Sequence, residues 1–170
     1  EEIGDDGLPH TAVLRSPYQQ LWIQWVCAED LIIHMVDYPE LMEEVFAIMN
    51  DIQSRVFRVT CDAAKEYPIP YVNVPDNITA PMIGPGYFRQ FCLPAYNELA
   101  GMLDETGLDI PVMVHADGNL RPLWDAFKET RVRALDSFSP PPDNDTSVAD
   151  ALEQWPEMRL CLNFPSSVHL

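Results

Sequence analysis

Short apolar runs alternate along the chain with longer stretches in which apolar residues recur at helical spacing. The runs Thr11-Ala-Val-Leu14, Tyr71-Val-Asn-Val74, Pro111-Val-Met-Val-His115, Arg133-Ala-Leu-Asp-Ser-Phe138 and Arg159-Leu-Cys-Leu-Asn-Phe164 predict five strands, since each is short and bounded by Pro, Gly, Asp or Asn. Between them, Ser16-Pro17-Tyr18-Gln19 reads as an N-cap, a proline at the first helical position and a capping-box Gln. Asp37-Tyr38-Pro39-Glu40 opens a helix over about 38–65, and Leu41, Val45, Ile48, Ile52, Val56 and Val59 mark its apolar face. Gly84-Pro85 starts another over about 85–106, ended by Gly107, and Ser147-Val-Ala-Asp150 caps a last one that stops at Trp155-Pro156.

Strand–helix–strand alternation implies parallel pairing through right-handed crossovers. A doubly wound sheet and a (β/α)8 barrel both fit. No G-x-G-x-x-G or P-loop follows any strand, which weakens the nucleotide-binding sheet. A full barrel needs roughly 200–250 residues. The expectation is therefore an α/β fold, a TIM barrel of which residues 1–170 supply one domain of about five βα units, cut at both ends.

Composition narrows the function. With 47% hydrophobic residues there is enough apolar side chain for a core, which excludes global disorder. The balance of 27 Asp+Glu against 10 Lys+Arg, a net charge of −17, argues against nucleic acid or an anionic membrane as partner. There is no apolar run of the ~18 residues that reads as a bilayer span, and no signal-peptide pattern, so a cytoplasmic protein is expected. Cys27, Cys61, Cys92 and Cys161 form no C-x-x-C and read as reduced core thiols.

The polar residues gather at strand ends. Asp76 and Asn77 follow the second strand; His115, Asp117, Gly118 and Asn119 follow the third; Asp136 lies in the fourth and Asn163 in the fifth. Parallel α/β folds place their chemistry at these carboxyl ends. His115 and Asp117, two apart, would point to the same side, with Gly118 letting the backbone turn next. The pair suits two ligands of a divalent metal, a proton-transfer couple, or a structural hydrogen bond. Arg15 and Arg121 fall on the same rim, while Arg133 and Arg159 begin strands and belong to the opposite, stabilising end. His10, His34 and His169 look plain, and Trp22 and Trp25 read as core packing.

Several segments in order carry a resemblance: Pro17 leading into Glu29-Asp30-Leu31, Asp37-Tyr-Pro-Glu-Leu41, Pro75-Asp76-Asn77, Ile83-Gly-Pro-Gly-Tyr-Phe-Arg-Gln-Phe91 with Leu93-Pro94, His115-Ala-Asp-Gly118 and Leu160-Cys-Leu-Asn-Phe-Pro165. The chain resembles, from about Pro17 to its end, the uroporphyrinogen decarboxylase superfamily, which also contains cobalamin-related methyltransferases. The resemblance implies a (β/α)8 barrel with its site in the mouth and a small-molecule substrate, and a homodimer is among the expectations. As a decarboxylase, a cofactor-free lyase removing side-chain carboxylates from a tetrapyrrole-type substrate, it would use His115, Asp117 and Asp76 for catalysis. His115 would transfer protons, while Asp117 and Asp76 would bond a pyrrole-type N–H or stabilise developing positive charge. Asn77, Asn119, Asp136, Asn163, Arg15 and Arg121 would bind substrate. As a methyltransferase, it would hold zinc with His115 and Asp117, although Asp117 stands where that group has a Cys. The decarboxylases' tyrosine falls on Ile23, and a third reading is a non-catalytic binding module that kept the barrel.

Overall fold

All five expected strands form. In the computed structural model, which describes Gly7 and residues 10–168, they are β1 (Thr11–Ala12), β2 (Val72–Val74), β3 (Val112–His115), β4 (Ala134–Phe138) and β5 (Arg159–Leu162). They make one sheet in the order β1-β2-β3-β4-β5, with every neighbouring pair parallel. A doubly wound sheet reverses its strand order at a switch point. This one never does, which is how a barrel wall is wound. The fold is α/β, and its strands form part of a (β/α)8 barrel.

The connections carry the helices. After β1 come α1 (Pro17–Gln20), a π-helical turn (Leu21–Trp25), α2 (Ala28–Asp37) and α3 (Pro39–Glu66). α4 (Ala80–Tyr87), a second π-helical turn (Phe88–Cys92) and α5 (Leu93–Glu105) join β2 to β3. A 3-10 turn (Arg121–Leu123) and α6 (Trp124–Lys128) lead to β4, and α7 (Val148–Gln154) leads to β5. Gly84, at φ +61°, breaks α4 just where the Gly84-Pro85 signal starts its helix. Ser147 and Asp150 close the expected capping box on α7.

Side-chain alternation divides the sheet. Val72, Val74, Val112, Val114 and Leu135 join the main apolar core, so Asn73, Met113, His115, Ala134 and Asp136 point to the opposite face. A bulge between Leu135 and Phe138 then shifts the register, with Ser137 at φ +56°.

The face expected for α3 is corrected. Its buried residues are Met42, Phe46, Met49, Gln53, Phe57, Thr60, Cys61 and Ala64, whereas Leu41, Ile48, Ile52 and Val59 are exposed. The helix carries two adjacent apolar stripes, and the one bearing the two phenylalanines turns inward, Phe46 stacking on Phe91. The exposed stripe continues past an apolar groove of about 350 Å³ lined by Leu21, Leu31, His34, Tyr38 and Val45. Trp25 is likewise exposed rather than core, and so are Cys27 and Cys161; Cys61 and Cys92 are buried. His169 lies outside the described residues.

The Ser16 cap is also corrected. Ser16 makes no side-chain capping bond. Its N–H and hydroxyl instead donate to the carboxylate of Asp76, at 2.8 and 2.7 Å, and Tyr96 of α5 donates to the same carboxylate at 2.6 Å. A carboxylate accepts strongly, so the Ser16 hydroxyl serves as a donor to it rather than as an acceptor for the helix amides. Asp76 is thereby fully buried. It does not line the mouth as expected, because the neighbouring strand's exit and α5 close over it. Burial holds its pKa above the ordinary carboxylate value, against the lowering effect of the Tyr96 and Ser16 bonds. Asp76→Ala is expected to lower stability in urea unfolding by roughly 3 kcal/mol, leaving three buried donors without an acceptor. A raised carboxyl pKa contributes stability in acid that fades as pH rises. Asp76→Asn should therefore gain on the wild type as pH rises from about 4, the unfolded carboxylate value, through the raised folded value.

Candidate active site at the carboxyl rim

The strand exits are laced to one another. The amide of Ile78 donates to the carbonyl of His115, that of Gly118 to Ile78, that of Ala80 to Asn119, and that of Ala116 to Asp136. The exits of β2, β3 and β4 therefore form one continuous rim. Gly118 is required there by close approach, not by a turn conformation: a Cβ would sit 2.2 Å from Thr79 Cβ and 2.8 Å from its Cα. From the loop after β4, the Asn144 amide donates to the carbonyls of Asp117 and Ser139, and Asp145 accepts the amides of Leu120 and Arg121.

His115 ends β3 on the face away from the helices and stands between two carboxylates. Its Nδ1 lies 3.2 Å from Asp136 Oδ2, and its Nε2 lies 3.8 Å from Asp117 Oδ2. The first is a hydrogen bond; the second is close enough to feel charge. The cross-strand register sets His115 opposite Asp136. Asn73 of β2 donates to the same Asp136 oxygen at 3.3 Å. Asp117 does most to hold the imidazole pKa above its ordinary 6.5, with Asp136 adding to it and partial burial opposing. In turn the imidazole holds the Asp117 carboxyl below its usual range. The cluster therefore favours the imidazolium beside ionised Asp117 more than an isolated histidine would.

The remaining rim residues divide. Asn77 and Asn119 are half-buried in the laced exits, their amides held by Gln19 at 3.2 Å and by the Thr79 hydroxyl at 3.2 Å. Arg15 turns its guanidinium onto the carbonyl of Pro75. Arg121 is drawn away from the mouth: it donates to the Asp145 carbonyl at 3.0 Å, approaches Asp150 at 3.6 Å and lies over the Trp124 ring. Asn163 is exposed and braces the β4 bulge, donating to Ser137 O at 3.2 Å and Ser139 Oγ at 3.1 Å. For zinc, His115 and Asp117 supply two donors, and among the described residues no group of three or more His, Cys, Asp or Glu is placed to hold a metal. That falls short of the three or four protein ligands that zinc sites use.

The sequence reading passed over Asn73 and Gln19. The period-two rule puts Asn73 on the same face as the rim residues, but it falls mid-strand, where no exit signal marks it. Gln19 was taken for a capping residue, yet its Oε1 accepts from Trp22 Nε1 at 3.1 Å and from the Asn77 amide.

Residues 8–162 match the family described as Uroporphyrinogen decarboxylase (URO-D). The chain belongs to the uroporphyrinogen decarboxylase family. No curated protein matches it in a sequence comparison. Membership in this family agrees with the barrel winding and places the rim just described at the face where barrel enzymes carry their sites. Among the described residues no helix is long and apolar enough to cross a membrane.

Two outcomes test the rim. In an NMR titration the His115 imidazole should titrate above 6.5, and Asp117→Asn should bring it back toward that value. With its folded pKa raised, the pair's stabilisation is complete below about pH 6.5 and is lost as pH rises through the folded value. Gly118→Ala should cost about 1–3 kcal/mol in thermal or urea unfolding, because the backbone of Thr79 must move to admit the methyl group.

Proposed function

We propose that the domain is a cytoplasmic carboxy-lyase that removes side-chain carboxylates from a tetrapyrrole-type small molecule. The observation that carries this reading is the His115 imidazole held between Asp117 and Asp136 on the rim of the barrel wall. When a side-chain carboxylate leaves as CO2, the electron pair of the broken C–C bond stays with the substrate, and the carbon left behind must gain a proton. An imidazole whose charged form is favoured by two flanking carboxylates is suited to supply it. Asp136 fixes Nδ1, which leaves Nε2 as the nitrogen that hands the proton over. Ionised Asp117 beside it would stabilise positive charge developing on a protonated ring, or accept a pyrrole-type N–H. Asp76 takes no part in this chemistry: it holds the β1 and β2 exits in place beneath the site.

One observation favours methyl transfer as the second reading. A carboxylate bonded to one imidazole nitrogen, as Asp136 is to His115, is also how metal-bound histidines are oriented. His115 and Asp117 would then hold zinc, which would activate a substrate nucleophile. Assays of CO2 release from a carboxylated tetrapyrrole separate the readings. His115→Gln should slow release by about 10²–10⁴-fold, the usual contribution of a positioned proton donor, while leaving substrate binding intact. Stoichiometric zinc that is lost on His115→Ala, with no CO2 release by the wild type, would replace this reading with methyl transfer. Neither zinc nor CO2 release would leave a non-catalytic binding module.

A further inference from the structure

We infer that Asn73 is a two-ended bracket, its amide N–H positioning Asp136 and hence His115, and its amide oxygen forming a subsite for a hydrogen-bond donor of the bound molecule. The first half stands on geometry alone; the second rests on the decarboxylase reading for the identity of that molecule.

Asn73 sits in the middle of β2 and is 9% exposed. Its Nδ2 donates to Asp136 Oδ2 at 3.3 Å, the same oxygen that meets His115 Nδ1 at 3.2 Å. One carboxylate oxygen thus joins β2, β3 and β4. The amide cannot be turned round, because its oxygen would then face the carboxylate. In the orientation that remains, Asn73 Oδ1 is buried with no hydrogen-bond partner. Leaving a buried acceptor unpaired costs about 1–3 kcal/mol. Gln19 Nε2, the other unpaired buried side-chain atom among the described residues, lies against the Cys92 thiol in the sealed cluster. Asn73 Oδ1 differs in being attached to the rim network. An Asn present only for packing would have both ends satisfied. This one has its donor committed to the proton-transfer cluster and its buried acceptor unpaired, a place for an N–H or O–H of a ligand and not for a carboxylate.

Two near-conservative variants of the full chain test it. Asn73→Asp keeps the shape and the acceptor but replaces the N–H with a carboxylate against Asp136. The charged groups facing His115 are Asp117 from its own strand exit and Asp136 from β4, and the variant adds a third from β2. The His115 titration midpoint, followed by NMR without substrate, should rise by at least half a pH unit. An unmoved midpoint in a folded variant overturns the positioning role. Asn73→Ala removes the acceptor, and its dissociation constant for a carboxylated tetrapyrrole, measured by calorimetry, should rise about tenfold, equivalent to 1.4 kcal/mol. Equal binding by wild type and Asn73→Ala overturns the subsite alone. Absence of binding and of CO2 release in the wild type overturns the subsite together with the decarboxylase reading, while a raised midpoint in Asn73→Asp would still uphold the positioning role.

Discussion

A carboxylate shut away from water holds the carboxyl end of this sheet together. Asp76 gathers the amide and hydroxyl of Ser16 from the β1 exit and the phenol of Tyr96 from α5. Parallel strands end in loops whose amides have no ladder partner, and a buried amide without an acceptor is costly. A single acidic side chain two residues past β2 accepts one such amide and two hydroxyls at once. The segments it fixes carry Arg15, Gln19 and Asn77, so the rim inherits its shape from a buried group beneath it.

Above that sealed carboxylate lies an open one. Asp76 and Asp117 are the same residue type with opposite environments: burial pushes the first up, and the neighbouring imidazole pulls the second down. Pairs whose surroundings separate their titration are how one fold assigns distinct tasks to identical groups. Here the separation divides structure from chemistry. The sheet register delivers the second tier with little freedom, since setting His115 opposite Asp136 across β3 and β4 determines which carboxylate meets which ring nitrogen.

The strands and the rim were legible in the sequence because both are local signals: a two-residue period, a terminating Pro or Gly, a polar residue at the exit. The barrel winding was legible only as one of two options, since strand order is a property of long-range pairing. What failed did so where two local signals compete. On α3 two apolar stripes lie side by side, and only the partner's shape, with Phe91 receiving Phe46, selects one. At Ser16 the capping pattern was present, but a carboxylate sixty positions away draws its hydroxyl as a donor, away from the acceptor role that a cap needs. Asp76 carried every mark of a rim residue, and only the closure of α5 over it shows that it is inside. Asn73 showed the reverse: a strand-interior position gave no hint that its amide would reach across to β4.

The distribution of positive charge then shapes what the mouth can recognise. A chain of net charge −17 has few cations to spend, and both arginines expected at the rim are committed elsewhere, Arg15 to the Pro75 carbonyl and Arg121 to the loop after β4. The residues that remain are acceptors, Asp117 and the unpaired amide oxygen of Asn73, set around one imidazole. Under the decarboxylase reading, such a mouth would discriminate by the donors a molecule presents and by the position at which it receives a proton. On that same reading, the β2–β4 contact that holds Asp136 against His115 Nδ1 then governs which ring nitrogen faces the mouth.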